Sequence, residues 1–202
     1  MTIDAVIFDF GGVLMDWNPD YLYRKLIPDP DARRHFLTEI CGPAWNAEQD
    51  RGRPWNEGVA ALSAIHPDKA ALIAAYRERW IEMLAGPIGP GVELVRRLHE
   101  AGYALYGLTN WSSETFAIAR PQMPYIDWLR DTVVSGEVKL AKPDTRIFRL
   151  LLDRNGLTAD RTAFVDDHAP NIDAAGGMGL RAILHRSAGE TEAKLRALGL
   201  QF

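Results

Sequence analysis

The sequence has a single cysteine, Cys41, among its 202 residues. A lone thiol closes no internal disulfide, so packing alone must hold the fold, and Cys41 reads as part of that packing in a reducing compartment. Long apolar runs are also missing. No stretch reaches the roughly 20 apolar residues that a membrane span needs, and the first apolar segment, flanked by Asp4 and Asp9, is too short for a secretory signal core. These absences predict a cytoplasmic protein with no membrane partner. Excess basic charge is missing too: 23 Lys and Arg stand against 27 Asp and Glu, giving a net charge of -4. The cations are spread along the chain rather than clustered, which argues against a nucleic-acid partner. What is present, 47% hydrophobic and 25% charged residues, is a globular composition with enough apolar mass for one sizeable core and an elaboration or small second domain.

The chain organises around Ala5-Val-Ile-Phe-Asp-Phe-Gly-Gly-Val-Leu14, an apolar run that ends on Asp9 and breaks at Gly11-Gly12. Such a run predicts a buried strand followed by a turn in which the backbone approaches a ligand. Helical signals follow: Asn18-Pro-Asp and Asp29-Pro-Asp as helix starts, Phe36, Leu37, Ile40 and Cys41 as an apolar stripe, then Trp45 to Arg51, Trp55 to Ile65, and Pro67 to Leu84. No strand pattern is visible between about Met15 and Ala85. This predicts an all-helical cap domain over residues 16–85, inserted into a core formed by residues 1–15 and 86–202. Gly86 to Gly91 reads as a loop and a hinge.

Beyond it, helix and strand alternate. Strands are expected at Tyr103 to Leu108, Thr132 to Ser135, Thr162 to Val165 and Arg181 to Leu184. Helices are expected at Val92 to Ala101, Arg146 to Asn155 and Asn171 to Met178, with a last one capped by Ser187 and Glu190. The fold class is therefore α/β, a Rossmann-like parallel sheet core with an inserted helical cap.

In a parallel sheet the strand ends share one edge, where ligands bind. Asp9, Thr109-Asn110 and Asp166-Asp167 each close an apolar strand, and Lys142 precedes a helix. A carboxylate nucleophile, a hydroxyl and amide, an ammonium and an acidic pair suit phosphoryl transfer, with Thr109, Asn110 and Lys142 holding phosphate oxygens. Asp166 and Asp167 beside Asp9 would repel one another unless a hard divalent cation, Mg2+, lay between them. Taken alone, Asp9 reads equally well as the cap of a turn.

Phe8-Asp-Phe-Gly-Gly-Val-Leu14, Leu108-Thr-Asn110, Lys142-Pro-Asp and Phe164-Val-Asp-Asp-His-Ala-Pro-Asn171 together resemble the four ordered motifs of the haloacid dehalogenase superfamily. The resemblance is greatest to its helical-cap branch, which includes bacterial phosphatases acting on glucose 1-phosphate and the phosphatase domain of soluble epoxide hydrolases. It implies an Mg2+-dependent phosphatase acting on a small phosphorylated metabolite, with a sugar phosphate among the candidates. Residue by residue, it implies Asp9 as the nucleophile that becomes an aspartyl-phosphate, Thr109 and Asn110 as phosphate binders, Lys142 as the charge partner of nucleophile and phosphate, and Asp166 and Asp167 as the metal pair. The Gly11 carbonyl is implied as a further metal ligand.

One position departs from the pattern. Many phosphatases of the superfamily carry an Asp general acid and base two residues after the nucleophile, where this chain has Gly11. Water, a cap residue, or a substrate with a weakly basic leaving oxygen must compensate. Dehalogenases of the superfamily also lack that Asp, since a halide leaves without a proton, but they carry no acidic pair where this chain has Asp166-Asp167. A 2-haloacid dehalogenase is thus the alternative, followed by a receiver-like module and a silent phosphate-binding domain. Other residues have two readings each: His168 as a support behind the acidic pair or a solvated loop residue, Lys139 as a rival of Lys142 for the ammonium role or, since Lys142 stands in Lys-Pro-Asp before a helix, a solvated loop charge, Trp17, Trp45, Trp55 and Trp80 as cap core or as a platform for substrate, and Asp50-Arg51-Gly52 as a surface turn or a reach into the site.

Overall fold

The computed structural model describes residues 3–202; Met1 and Thr2, the first two residues of the expected core, lie outside the described residues. Seven strands form in chain order: β1 Ala5–Phe8, β2 Met15–Trp17, β3 Leu84–Pro87, β4 Ala104–Thr109, β5 Asp131–Val134, β6 Thr162–Asp166 and β7 Arg181–Leu184. Between β2 and β3 lie the helices α1 Asp20–Leu26, α2 Pro30–His35, α3 Pro43–Asp50, α4 Trp55–Ile65 and α5 Ala70–Glu78. After β3 come α6 Gly89–Glu100, α7 Ser113–Ala119, α8 Ser135–Val138, α9 Thr145–Asn155, α10 Ala169–Gly177 and α11 Ala188–Ala197.

Five strands make one parallel sheet in the order β5-β4-β1-β6-β7. Every residue of β1 is buried, because helices cover both faces and each side chain meets a layer. Val6, Phe8, Leu105 and Val165 pack on one side with Leu94 and Leu98 of α6 and Leu195 of α11. Ile7, Leu108 and Phe164 pack on the other side with Phe148 and Leu151 of α9 and Ala175 of α10. Each fully buried side chain of this size contributes about 1.5–3 kcal/mol relative to exposure, which is what fixes the strand register and hence the positions of the strand ends.

The stretch read as purely helical is bounded by strands. Met15–Trp17 pairs antiparallel with Leu84–Pro87, Asp16 lying opposite Gly86, so the chain leaves and re-enters the sheet through a two-stranded ribbon. Gly86 and Pro87 therefore belong to a strand, and Gly89 already opens α6, where a loop over Gly86 to Gly91 was expected. Strands of three and four residues are too short to show a period of two. The expected helix over Pro67 to Leu84 is also divided, a 3-10 turn at Pro67–Lys69 preceding α5 and another at Trp80–Met83 following it. Cys41 is buried and burial pushes its thiol up to about 12, in keeping with a packing role. Among the described residues no helix is long and apolar enough to cross a membrane.

Candidate active site

Because β1, β4 and β6 are neighbours and run the same way, their ends bring Asp9, Thr109 and Asp166 together at the carboxyl edge of the sheet. Just past β1 the chain turns back on itself, the Phe10 carbonyl accepting from the N–H groups of Val13, Leu14 and Met15. Gly12 in that turn has φ +69°, and a Cβ there would lie 2.2 Å from Asp167 Oδ2. Only glycine lets the turn and the acidic loop meet this closely.

Lys142 enters from the loop before α9 and is buried. Its ammonium lies 2.8 Å from Asp9 Oδ1 and 2.6 Å from Asp166 Oδ2. The Asn110 side chain sets this reach: its Nδ2 donates to the Lys142 carbonyl at 2.9 Å and its Oδ1 accepts from the Lys142 N–H at 2.8 Å. The amide of Asn110 is thus occupied in positioning the lysine, whereas the sequence suggested a direct phosphate contact. Lys139, the other candidate ammonium, is an exposed residue at the left-handed end of α8, outside this group.

Asp9 Oδ1 also accepts from the Phe10 N–H at 2.7 Å. Among the described residues Asp9 Oδ2 has no hydrogen-bond partner, so one oxygen is fixed and the other is open. Asp166 is completely buried and held by the His168 N–H at 2.8 Å and by Asn171 Nδ2 at 3.0 Å to each oxygen. Asn171 was legible only as the last letter of its motif; one turn into α10, it is what locks Asp166. The His168 ring is exposed and only its backbone serves the site.

Charge is concentrated here. Burial, opposed by Lys142 and reinforced by Asp166, pushes the Asp9 carboxyl up to about 7. Burial and the neighbouring Asp166 raise Asp167 as well. Burial works against the Lys142 ammonium, yet Asp9 and Asp166 outweigh it and leave that ammonium above the usual lysine range. Asp9, Asp166 and Asp167 each present an oxygen, all within 4.8 Å of one another, and one ammonium is not enough to neutralise them. Three hard oxygen donors with surplus negative charge fit a small divalent cation. Asn171 Oδ1, buried next to Asp166 and without a hydrogen-bond partner among the described residues, is a further acceptor that a hydrated ion can satisfy.

A small cleft opens beside this cluster. Gly11, Asn110, Trp111 and Thr115 line it from the sheet edge. Trp17, Asn46, Asp50 and Trp80 line it from the ribbon and helical segment. The helical segment is tied over the edge by Trp55 Nε1 donating to Ser112 Oγ at 2.9 Å, by the Ser112 N–H donating to Asp50 Oδ1 at 3.0 Å, and by Ser135 Oγ donating to the Asp50 carbonyl. Of the tryptophans singled out in the sequence, Trp17 and Trp80 line the cleft. Trp45 packs edge-on against Trp55 and Tyr76 within the helical segment, and Trp55 is buried at its seam with the sheet edge. Trp17 Nε1 is buried and has no hydrogen-bond partner among the described residues.

A parallel sheet with an acid cluster at its carboxyl edge, an ammonium between two of the acids and a glycine turn behind them defines a hydrolase class. The chain matches the haloacid dehalogenase-like hydrolase family over residues 3–179 and belongs to it. It is 28% identical over 185 residues to a sesquiterpene phosphatase of Aspergillus oryzae, covering 89% of this chain and 88% of that protein. Its fold superposes on a haloacid dehalogenase family enzyme of Bacteroides thetaiotaomicron in its magnesium complex, with TM-score 0.74, 22% identity, and 97% and 99% of the two chains covered. It also superposes on the L-2-haloacid dehalogenase of Xanthobacter autotrophicus, with TM-score 0.66, 16% identity, and 97% and 83% covered.

Proposed function

We propose that the protein is an Mg2+-dependent phosphatase that hydrolyses a small organic phosphate monoester through an aspartyl-phosphate on Asp9. The observation that carries this reading is the cluster of Asp9, Asp166 and Asp167 oxygens within 4.8 Å, with Lys142 joined to Asp9 and Asp166. In this reading the open Oδ2 of Asp9 attacks phosphorus while Oδ1 is held by the Phe10 N–H and Lys142. The Thr109 hydroxyl, the backbone N–H of Asn110 and the Lys142 ammonium receive the phosphate oxygens, where developing charge is stabilised by donors already in place. Water then attacks the aspartyl-phosphate and frees Asp9. Asp9, Asp166, Asp167 and the Gly11 carbonyl would hold the Mg2+, which when bound supplies charge neutralisation for the approach of a dianionic phosphate to a carboxylate.

Residues 16–85 act as the cap and residues 1–15 and 86–202 as the core in this reading. The ribbon of β2 and β3 is the neck about which the cap moves to admit substrate and exclude water. The organic group of the ester occupies the cleft between Gly11 and Trp80. The relatedness to a phosphatase supports the same conclusion.

The dehalogenase reading shares the fold and the missing acid at Gly11. It leaves Asp166 and Asp167 without a purpose, since two acids beside a nucleophile that must stay ionised oppose its ionisation. Release of phosphate from p-nitrophenyl phosphate with and without Mg2+, alongside halide release from 2-chloropropionate, tests the assignment. Metal-dependent phosphate release is expected; halide release that persists in chelator would replace it.

A further inference from the structure

The turn after Asp9 leaves a chemical gap that a residue of the helical segment is placed to fill. A Cβ built on Gly11 would meet no atom within 4 Å, so the position where an acid would project is open space at the wall of the cleft. Asp50, the last residue of α3, lines the same cleft from the other side. We propose that Asp50 is the general acid and base of the phosphatase reaction, serving from the helical segment the role that Gly11 cannot. This rests on the phosphatase reading above.

The placement of Asp50 is not that of a solvated surface turn. Its backbone carbonyl accepts from Ser135 Oγ, its Oδ1 from the Ser112 N–H at 3.0 Å and its Oδ2 from Asn46 Nδ2 at 2.8 Å. Each carboxyl oxygen thus accepts one hydrogen bond and keeps a lone pair for a proton. These bonds fix the carboxyl against the loop that follows Thr109 and Asn110, the residues read as phosphate binders.

Burial pushes Asp50 up to about 7, opposed by the Ser112 N–H and the Arg51 guanidinium, so both protonation states are within reach near neutrality. Among the described residues, Arg51 and Tyr76 are the ionisable groups that act on it. Tyr76 of α5 is raised far out of the neutral range, Arg51 is paired with Glu48 at 2.7 Å, and Lys139 packs beside Gly52 in the adjoining turn. Ser112, Asn110 and Trp111 face it from the sheet edge without charge.

The proton balance closes. As the bond from Asp9 Oδ2 to phosphorus forms and the bond from phosphorus to the ester oxygen breaks, Asp50 gives its proton to that oxygen and the neutral alcohol leaves. Water then attacks phosphorus, loses a proton to the Asp50 carboxylate and displaces Asp9, which returns to a carboxylate as inorganic phosphate departs.

The test is a series of phosphate monoesters from p-nitrophenyl to simple alkyl, followed in the parent, in Asp50→Asn and in Asp50→Asn carrying Gly11→Asp. The parent is expected to depend weakly on leaving-group pKa. Asp50→Asn, which keeps an acceptor for Ser112, should lose about 10^2- to 10^4-fold in kcat/KM on alkyl esters and less than about tenfold on p-nitrophenyl phosphate, since kcat/KM ends at release of the alcohol and does not include the later attack of water. It should also lose the fall in kcat/KM above about pH 7 that deprotonation of Asp50 imposes. Gly11→Asp should restore alkyl ester turnover, which a purely structural defect would not allow. A steep dependence already in the parent, or a loss of kcat/KM in Asp50→Asn equal for all esters and not rescued, would overturn the role of Asp50 while leaving the phosphatase reading intact. A parent that releases no phosphate from any ester would overturn both.

Discussion

Lys142→Met isolates the electrostatic design of the site. The methionine keeps most of the volume and apolar stem of Lys142 but removes the ammonium that, among the described residues, pairs with Asp9 and Asp166, both buried. Removing one partner of a buried ion pair typically costs about 3–5 kcal/mol, because the surviving charge is left uncompensated. Against a total stability of roughly 5–15 kcal/mol this is a large fraction, and for a chain of this length it corresponds to a fall in Tm of about 10 °C. Urea titration in chelator measures it, with an unchanged slope showing that the unfolded state is the same.

The sign with pH follows from the carboxyls. Burial has already raised Asp9 to about 7, and losing Lys142 raises it further, so the folded variant holds protons that the unfolded chain releases near pH 4. Stability of the variant therefore rises as pH falls through 7 towards 4, and its deficit against the parent shrinks there. Adding Asp166→Asn should recover part of the loss by removing one of the two stranded charges. A deficit below about 1 kcal/mol at pH 8, or one that grows on acidification, would refute the claim that Lys142 is the counterion of this cluster.

Three further outcomes are expected. Asp9→Asn should keep the far-UV circular dichroism and melting of the parent or better, since it removes a buried charge, while its phosphatase activity drops by far more than about tenfold in a steady-state assay. Mg2+ should stabilise the parent in a thermal melt, by about 2.7 kcal/mol at 100 times its dissociation constant, and the gain should vanish in Asp167→Ala. Gly12→Ala should weaken Mg2+ binding by calorimetry, because the left-handed backbone costs an alanine about 1–2 kcal/mol and its Cβ would displace Asp167 Oδ2.

How much of this was legible in the sequence depended on the range of the interaction. Residues that end a strand were easy: the apolar run before Asp9, the one before Thr109 and the one before Asp166 each predicted a strand, and a parallel sheet then brings their ends together. Long amphipathic helices such as α4 and α9 were equally clear. The ribbon of Met15–Trp17 and Leu84–Pro87 was not, because its partners are far apart in sequence and each is too short to carry a period. The amide of Asn110 looked like a phosphate ligand; only the fold reveals that it grips both backbone groups of Lys142. Asp50 reads in the sequence equally as a reach into the site or as a turn of the chain, and the choice depends on how α3 docks on Ser112 and Ser135. The two aromatic roles of the tryptophans also separate only in three dimensions, with Trp17 and Trp80 at the cleft and Trp45 and Trp55 packed away from it.

The covalent step on Asp9 is tested most directly by acid-quenching the enzyme during turnover of p-nitrophenyl phosphate with Mg2+ and sequencing its peptides by mass spectrometry. Asp50→Asn is the better variant for this, since it lacks the base that speeds attack of water on the intermediate. One added phosphoryl group is expected on the peptide that contains Asp9, localised to that residue, absent in chelator and absent from Asp9→Asn. Phosphate release at the parent rate with Asp9 unmodified in both enzymes, or a phosphoryl group found on any other residue, would contradict it.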